Sequence, residues 1–208
     1  MYHSENTDNK KIYDMKTIKI LTTSLIIIST CFACNENFFD QYPTDQLSEE
    51  NFFKSSSDYE AMLNDAYRLL RTPYSSNYAI GDVAADDAYN SEYNHSVDAI
   101  SINDSNVSSD NGILNTIWNG SYSVISRTNL ILDKIDNTEM DATLKNRYKG
   151  ESKFLRSLMY FYLIRIFGDV PLVLSDISDP QKAFGFGREA IAKIYEQIIN
   201  DLKEAETW

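Results

Sequence analysis

The sequence predicts an all-α fold of helical hairpins joined by long irregular loops. Apolar residues recur at spacings of three and four in four separate segments, which is the pattern of amphipathic helices. Helix-breaking residues are scarce, with 7 Gly and 4 Pro among 208 residues. Hydrophobic residues make up 43% of the chain, which is enough to bury a core in one globular domain.

The charge balance argues against nucleic acid as a partner. Asp and Glu number 31 against 19 Lys and Arg, so the formal net charge is -12. An acidic surface repels phosphate backbones and cannot release their counterions. The excess of acid favours solubility and indicates no particular ligand.

The N-terminus carries the layout of a signal peptide in residues 1–33. Lys16 and Lys19 lead into an apolar run that is shorter than the roughly 20 residues of a transmembrane helix. The polar residues 1–14 are long for the region before such a run. We therefore expect translation to start at Met15.

Cys34 follows the apolar run and resembles the cysteine of a bacterial lipobox, where the chain is cut and the thiol is diacylated. Cys31 stands where leucine is usual and is the alternative acylated residue, with Thr30 before the cut. A C-x-x-C redox pair is a further interpretation, but it needs a folded strand and helix around it. We expect lipidation at Cys34 and an anchored segment over residues 34–56, because several acyl chains hold a protein stably on a membrane.

The first helix is predicted to begin at Ser57, which would form a capping box with Glu60. Thr72 and Pro73 end it, because proline cannot continue the hydrogen-bond ladder and restricts the residue before it. One face of this helix is expected to meet the core. That face carries Tyr59, Met62, Leu63, Ala66, Tyr67 and Leu70.

The second and third helices are predicted to form an antiparallel pair, because their connection is short. The second ends near Asp136 and Asn137, and the third runs from Thr138 or Asp141 to Gly168. The second carries Ile113, Leu114, Ile117, Trp118, Ser121, Ile125, Thr128 and Leu132, and the third carries Tyr148, Phe154, Leu155, Leu158, Met159, Tyr162 and Ile166.

A fourth helix is predicted near the C-terminus, after a short extended piece at residues 170–174. Lys193, Glu196 and Lys203 lie on its polar side. Paired helices of this kind suggest tetratricopeptide-like stacking, although no clean repeat of roughly 34 residues is present. The apolar face of this helix carries Ile191, Ile194, Tyr195, Ile198, Leu202 and Ala205. Four large aromatic side chains are expected in the core, namely Trp118, Tyr160, Tyr162 and Tyr195.

Four motifs follow one another along the chain, and the third is the most specific. They are Cys34 with FFD at 38–40 and Pro43, DYE at 58–60 with NDAY at 64–67, GESKFLRSLMYF at 150–161 with FGDVPLV at 167–173, and IYEQII at 194–199 with Asp201 and Leu202. In these motifs the chain resembles the SusD/RagB-like family of outer-membrane nutrient-binding lipoproteins. It departs from the family pattern at Phe39, where leucine is usual.

The resemblance implies an α-helical, TPR-like lipoprotein that is anchored by lipid in the outer membrane and faces outside. It implies a protein that binds oligosaccharide or a related nutrient and docks on a SusC-like TonB-dependent transporter. Family members are much longer, so residues 57–208 are expected to be an incomplete N-terminal domain of the SusD-like fold. Neither enzymatic activity nor a cofactor is implied.

The residues themselves offer no catalytic, metal or cofactor site. His95 is the only histidine of the expected mature chain, which excludes histidine-based triads and zinc motifs. Residues 185–187 are too short for a dinucleotide fingerprint, and residues 103–106 lack the spacing of a calcium loop. Asp86 and Asp87 are adjacent, so they cannot flank a glycosidic bond, and capping or solvation is the expected role.

Residues 72–111 are predicted to be irregular and to hold the candidate glycan-binding side chains. A tyrosine offers its ring to the C–H face of a sugar and its hydroxyl to the sugar hydroxyls. The resemblance also places part of the family's ligand surface in loops between early helices. The candidates are Tyr74, Tyr78, Asp86, Asp87, Tyr89 and Tyr93. The competing interpretation is that these tyrosines only pack beneath a long loop.

Three functions remain open on the sequence. The first is a glycan-binding surface lipoprotein, and the second is a truncated, non-binding structural or vestigial partner of the transporter. These two separate on whether the native polypeptide continues past Trp208. The third is a lipid-anchored hydrolase, which would have to turn over a polysaccharide and has no support in the motifs.

Overall fold

The computed structural model describes residue 20 and residues 52–85, 96–177 and 185–207. The chain divides into two compact units, Met1–Ser48 and Glu49–Trp208, and all described residues except Ile20 belong to the second. That unit is mostly helical, which confirms the predicted all-α class. Its helices are α1 (Ser56–Leu69), α2 (Arg71–Ser75), α3 (Val97–Asn103), α4 (Gly112–Lys134), α5 (Ala142–Phe167) and α6 (Ile191–Glu206).

Helix α1 is capped two residues earlier than predicted, at Ser55. The backbone N–H of Ser55 donates to the Asp58 carboxylate at 2.8 Å, and the Ser55 hydroxyl donates to the same oxygen at 2.8 Å. The predicted Ser57 and Glu60 cap is therefore wrong. Each of the three consecutive serines could have been the N-cap. Asp58, three residues after Ser55, completes the capping box and makes Ser55 the N-cap.

The predicted apolar stripe of α1 is confirmed in its centre. Tyr59, Leu63 and Ala66 are buried, and the Tyr59 hydroxyl hydrogen-bonds the Thr138 hydroxyl at 2.7 Å. Tyr67, from the same predicted face, is 40% exposed. The stripe is therefore narrower than the sequence suggested.

The stretch after α1 is more regular than predicted. Helix α1 ends at Leu69, before the predicted stop at Thr72 and Pro73, and the chain continues into α2, a π-helical turn at Ala79–Val83 and, after residues outside the described part, α3. Pro73 lies in the first turn of α2, where a missing N–H removes no helical hydrogen bond. Pro73 was predicted to end the first helix, but it lies in the first turn of the second helix, where it is tolerated.

Side-chain caps fix the starts of α4 and α5. The Asn111 side chain accepts from the Leu114 N–H at 3.0 Å, and the Asp141 carboxylate accepts from Thr143 and Leu144 at 2.9 and 3.1 Å. A 3-10 turn, Ile135–Asn137, follows α4. Helix α5 ends at Phe167, and Gly168 is its C-cap, with a φ of 71° that suits a residue without a Cβ.

Helices α4 and α5 form the predicted antiparallel pair. The Trp118 ring, near the start of α4, lies 5.0 Å from the Phe167 ring at the end of α5. Farther along α4, the Asn129 side chain accepts from Arg156 at 2.8 Å. Early residues of one helix thus meet late residues of the other.

A two-residue antiparallel ladder leads into α6. Strand β1 (Val170–Pro171) pairs with β2 (Arg188–Glu189), with Val170 opposite Glu189. The extended piece expected at 170–174 is thus a strand only at its start. Helix α6 then packs along α5, where the Ser157 hydroxyl reaches the Ile198 carbonyl at 3.4 Å.

The face of α6 that packs inward is smaller than predicted. Ile194 and Ile198 are buried at 0% and 5% exposure. Ile191, Tyr195 and Leu202 were placed on the same buried face, but they are 38%, 39% and 41% exposed. Phe154 of α5 was also expected inside and is 48% exposed.

One hydrophobic core joins α1, α4, α5 and α6. Tyr160 is fully buried in it, as predicted, while Trp118 and Tyr162 are partly buried against it. Its fully buried side chains include Tyr59, Val124, Ile131, Ile135, Leu155, Met159, Leu163 and Ile194. The sequence pattern therefore identified the core helices correctly.

Three buried side chains hold the backbone of residues 173–175 against the α4–α5 pair. The Tyr160 hydroxyl donates to the Val173 carbonyl at 2.8 Å and accepts from the Val173 N–H at 2.6 Å. Asn129 donates to the carbonyls of Val173 and Ser175 at 3.0 and 3.3 Å. Arg156 donates to the Leu174 carbonyl at 3.3 Å.

Candidate functional site

Two of the predicted glycan-binding residues lie on the exposed side of the α2 region. Tyr74 of α2 is 45% exposed, and Tyr78, one helical turn later, is 48% exposed. Asp86, Asp87, Tyr89 and Tyr93 lie outside the described residues, as does Cys34. For these five residues the predicted roles remain predictions.

Close packing between α2 and α4 sets the position of Tyr74. Pro73 is buried, and a Cβ on Gly120 of α4 would lie 2.9 Å from its Cδ atom. Gly120 thus allows the two helices a closer approach than any other residue would. With Pro73 turned inward, the next side chain, Tyr74, is left on the outer surface.

Tyr74 pairs with an aromatic residue that the sequence did not single out for binding. Its ring centroid lies 5.5 Å from that of Tyr162 on α5, with the planes inclined by 53°. Burial raises the pKa of Tyr162, and the neighbouring Tyr74 hydroxyl raises it further. Tyr162 therefore keeps its proton at neutral pH and can both donate and accept hydrogen bonds.

A shallow cavity of about 150 Å³ lies beside this tyrosine pair. Tyr162 and Arg165 contribute one wall, and Asn77 and Gly81 contribute another. The Arg165 guanidinium lies 5.2 Å from the ring centroid of Phe161 and forms no ion pair with the described residues. Its N–H groups and the Asn77 amide are donors at the edge of an aromatic surface.

This arrangement has the chemistry of a carbohydrate contact. The aromatic rings can cover the C–H face of a pyranose, while amide, guanidinium and hydroxyl groups hydrogen-bond its hydroxyls. The cavity is small compared with the binding sites of whole ligands, so it could hold only a part of a longer sugar chain. We name the group Tyr74, Tyr162, Asn77 and Arg165 the tyrosine site. Tyr78 is exposed but does not line the cavity.

Sequence reasoning placed Tyr162 in the core and did not consider Asn77 or Arg165. One signal was available, since Tyr162, Arg165 and Ile166 recur at spacings of three and four and so share one side of α5. Their meeting with Asn77 could not be predicted, because it depends on how the residues that follow α2 pack beside α5.

The described residues contain no group of three or more His, Cys, Asp or Glu side chains that could hold a metal ion. In the same part of the chain, none of the helices is both long and apolar enough to cross a bilayer.

Comparison with known proteins gives consistent matches over most of the chain. Residues 37–208 match a SusD-like family model described as "Starch-binding associating with outer membrane". SusD-like protein P2 of Formosa agariphila is 26% identical over 202 residues, which cover 93% of this chain and 38% of that protein. The chain therefore spans little more than a third of the length of this relative.

Solved structures of similar proteins share the fold. A SusD superfamily protein from Parabacteroides distasonis is 30% identical with a TM-score of 0.59, over 78% of this chain and 34% of that one. A laminarin-binding SusD-like protein is 24% identical with a TM-score of 0.64, over 74% of this chain and 34% of the other. The helical arrangement described above is thus that of one part of these longer proteins.

Proposed function

Because the chain belongs to the SusD-like family of starch-binding proteins that associate with the outer membrane, we propose that it binds oligosaccharide at the cell surface. In the full proposal it is a lipoprotein that docks on a SusC-like TonB-dependent transporter and delivers its ligand for uptake. Members of the family are binding proteins without catalytic activity. The chain accordingly acts by capture and not by turnover.

One observation carries the glycan proposal, and that is the pairing of Tyr74 with Tyr162 beside the donors of Asn77 and Arg165. Exposed rings next to hydrogen-bond donors favour a ligand with alternating apolar and hydroxylated surfaces. The laminarin-binding relative supports a polysaccharide as the ligand class.

The test uses the full chain with laminarin and with soluble starch, measured by isothermal titration calorimetry. We expect Tyr74→Ala to weaken binding of the preferred glycan about tenfold, which corresponds to about 1.4 kcal/mol. Tyr74→Phe keeps the aromatic ring, so it should lower the glycan affinity less than Tyr74→Ala does. Arg165→Gln should weaken binding as well, because it removes charged donors at the edge of the cavity.

Tyr195→Ala is the matched control, since Tyr195 is 39% exposed on α6 and is not part of the tyrosine site. Its affinity should equal that of the unchanged chain. If Tyr74→Ala and Arg165→Gln bound the glycan as tightly as the unchanged chain, this site would be refuted. Absence of binding to any neutral glycan, with retained docking on the transporter, would favour the non-binding structural role.

The anchor is a separate part of the proposal. Cys34 follows the apolar run of the signal peptide and would carry the acyl chains that hold the protein on the membrane. The intact mass of the protein extracted from outer membranes tests this, because diacylation adds the mass of the lipid at the new N-terminus. The same spectrum reports where the native polypeptide ends.

A further inference from the structure

Arg165 carries a positive charge that no carboxylate of the described residues matches. Its side chain is exposed, and its guanidinium lies 5.2 Å from the ring centroid of Phe161, a contact that uses none of its N–H donors. Four other arginines each have a carboxylate oxygen within 3.1 Å of a guanidinium nitrogen, namely Arg68, Arg127, Arg147 and Arg156. In the described part of the chain, Arg165 is thus a cation at the edge of a cavity with its donors still available.

The cavity beside Arg165 is lined by no acidic side chain of the described residues. Its other polar groups are the Asn77 amide and the Tyr162 hydroxyl. Burial raises the pKa of Tyr162, so that hydroxyl stays neutral at pH 7. Asp82 follows the lining residue Gly81 but does not itself line the cavity. The local charge is therefore positive, although the whole chain carries a net charge of -12.

A neutral sugar would leave the charge of Arg165 without a partner. A ligand that covers Arg165 displaces the water that solvates the guanidinium. Sugar hydroxyls replace the lost hydrogen bonds but supply no counter-charge, whereas a carboxylate supplies both. The planar guanidinium also matches a carboxylate with two parallel N–H···O bonds. The chemistry at this edge of the cavity thus favours an acidic sugar.

We propose that the tyrosine site prefers an oligosaccharide that contains a uronic acid, and that Arg165 binds the carboxylate of that sugar unit. This inference rests on the proposed function, because it assumes that the site binds glycan. The Asn77 amide and the Tyr162 hydroxyl remain for the sugar hydroxyls, and the Tyr74 ring remains for a C–H face. Arg165 is then the residue that sets the selectivity for charge.

Pairs of ligands that differ only in charge test the proposal. Oligogalacturonate and oligoalginate of about five sugar units are each compared with their methyl esters by isothermal titration calorimetry with the full chain. We expect at least one of the acids to bind at least tenfold more tightly than its ester. Raising the salt from about 50 mM to about 500 mM should weaken binding of the acid and leave that of the ester unchanged.

The ratio of the acid affinity to the ester affinity separates the role of Arg165 from that of the tyrosines. Arg165→Gln should lower this ratio to about one, because the counter-charge is gone. Arg165→Lys keeps the charge but lacks the planar fork, so its ratio should be intermediate. Tyr74→Ala should weaken both ligands and leave the ratio unchanged, because the ring contacts acid and ester alike. Arg165 is exposed, so these variants should fold, and circular dichroism checks that they do.

Lys203→Gln is the matched control, because it removes the same charge far from the site. The residue after Lys203 on α6, Glu204, pairs with Lys153 of α5. Lys153 precedes Arg165 by twelve residues, which is about 18 Å along a helix. Over that distance the charge of Lys203 is screened, so the ratio should equal that of the unchanged chain.

Three results would overturn the preference for a uronic acid. The first is equal affinity for acid and ester in the unchanged chain; if Tyr74→Ala still weakened both, glycan binding would stand and only the selectivity would fail. The second is a preference that persists in Arg165→Gln or disappears in Lys203→Gln. The third is tighter binding of a carrageenan oligosaccharide than of either uronate, lost on desulfation, which would assign Arg165 to sulfate esters. If no acid, ester, laminarin or starch bound at all, the proposed function itself would fail.

Discussion

Arg156 and Asp201 form a bidentate ion pair inside the protein. The Arg156 Nε and Nη2 atoms donate to the two carboxylate oxygens of Asp201 at 2.7 and 2.8 Å, and the two side chains are 6% and 1% exposed. Gln197 donates to the same carboxylate at 3.0 Å. The pair joins α5 to α6, and Asp201 is the one polar residue of α6 that is buried.

Removing one charge of this pair should strongly destabilise the domain. We expect Asp201→Asn to lower the free energy of unfolding by about 3 kcal/mol, because the guanidinium would stay buried without its counter-charge. Urea unfolding followed by circular dichroism measures the change. Glu189→Gln breaks an exposed pair with Lys193, formed at 2.8 Å, and should cost less than about 0.5 kcal/mol. Equal effects of the two variants would contradict this assignment.

The Tyr160 hydroxyl should contribute to stability through its two bonds to Val173. Tyr160→Phe leaves the Val173 N–H buried without its partner, which costs about 1–3 kcal/mol. Thermal and urea unfolding measure the loss. Tyr195→Phe, at a 39% exposed position on α6, is the control and should change the free energy of unfolding by less than about 0.5 kcal/mol. An equal loss for Tyr195→Phe would sink the argument.

Gly120→Ala should disturb the packing of α2 against α4. The new Cβ would lie 2.9 Å from Pro73 Cδ and 3.0 Å from Thr72 Cγ2, so α2 has to move outward. Overpacking destabilises a protein by about 1–3 kcal/mol, which outweighs the gain of about 1 kcal/mol in helix propensity. We expect a net loss of stability and weaker glycan binding, because Tyr74 follows Pro73.

Gly187→Ala is the control for that experiment, since a Cβ on Gly187 meets no atom within 4 Å. Its stability and its glycan affinity should both equal those of the unchanged chain. If Gly120→Ala were as stable as Gly187→Ala, the close approach of α2 and α4 would not matter for folding.

The ion pair of Asp65 with two arginines should make stability depend on pH. Partial burial acts to raise the pKa of Asp65, but hydrogen bonds from Arg68 at 2.8 Å and Arg127 at 3.0 Å outweigh it and lower the pKa. Because the folded pKa lies below the unfolded one, the stabilisation is present above the unfolded pKa. It is lost as the pH falls through the folded pKa.

Asp65→Asn should therefore cost about 1 kcal/mol at pH 7, since all three side chains are partly exposed. The cost should shrink as the pH falls below about 4. Unfolding in urea at several pH values measures both. Glu139→Gln, at an exposed position, should show no such trend. A cost for Asp65→Asn that stays constant down to pH 2 would contradict the assignment.

The sequence predicted the presence and position of a helix well where the helix packs one apolar face on the core. Asp141 at the start of α5 and Gly168 at its end are local signals, and both are found where expected. The cap of α1 was misplaced because three consecutive serines offer equivalent starts. The short helices between residues 71 and 103 were missed because each is too short to show periodicity.

The tyrosine site could be predicted only in part. Tyr74 and Tyr78 were proposed because tyrosines cluster with polar residues in one stretch. Tyr162 belongs to α5, and its contact with Tyr74 depends on the approach of α2 to α4. Periodicity also cannot distinguish an apolar row covered by a neighbour from one left open, which is why Tyr195 and Leu202 were wrongly placed in the core.

Asn129, Arg156 and Tyr160 bind residues 173–175 only through main-chain atoms. Every amino acid supplies the same carbonyl oxygens, so this contact does not discriminate between side chains at 174 and 175. The side chains of residues 174 and 175 can therefore change during evolution without changing the backbone conformation of this segment. A lineage could vary the surface there freely while the three helix residues beneath it stay constrained.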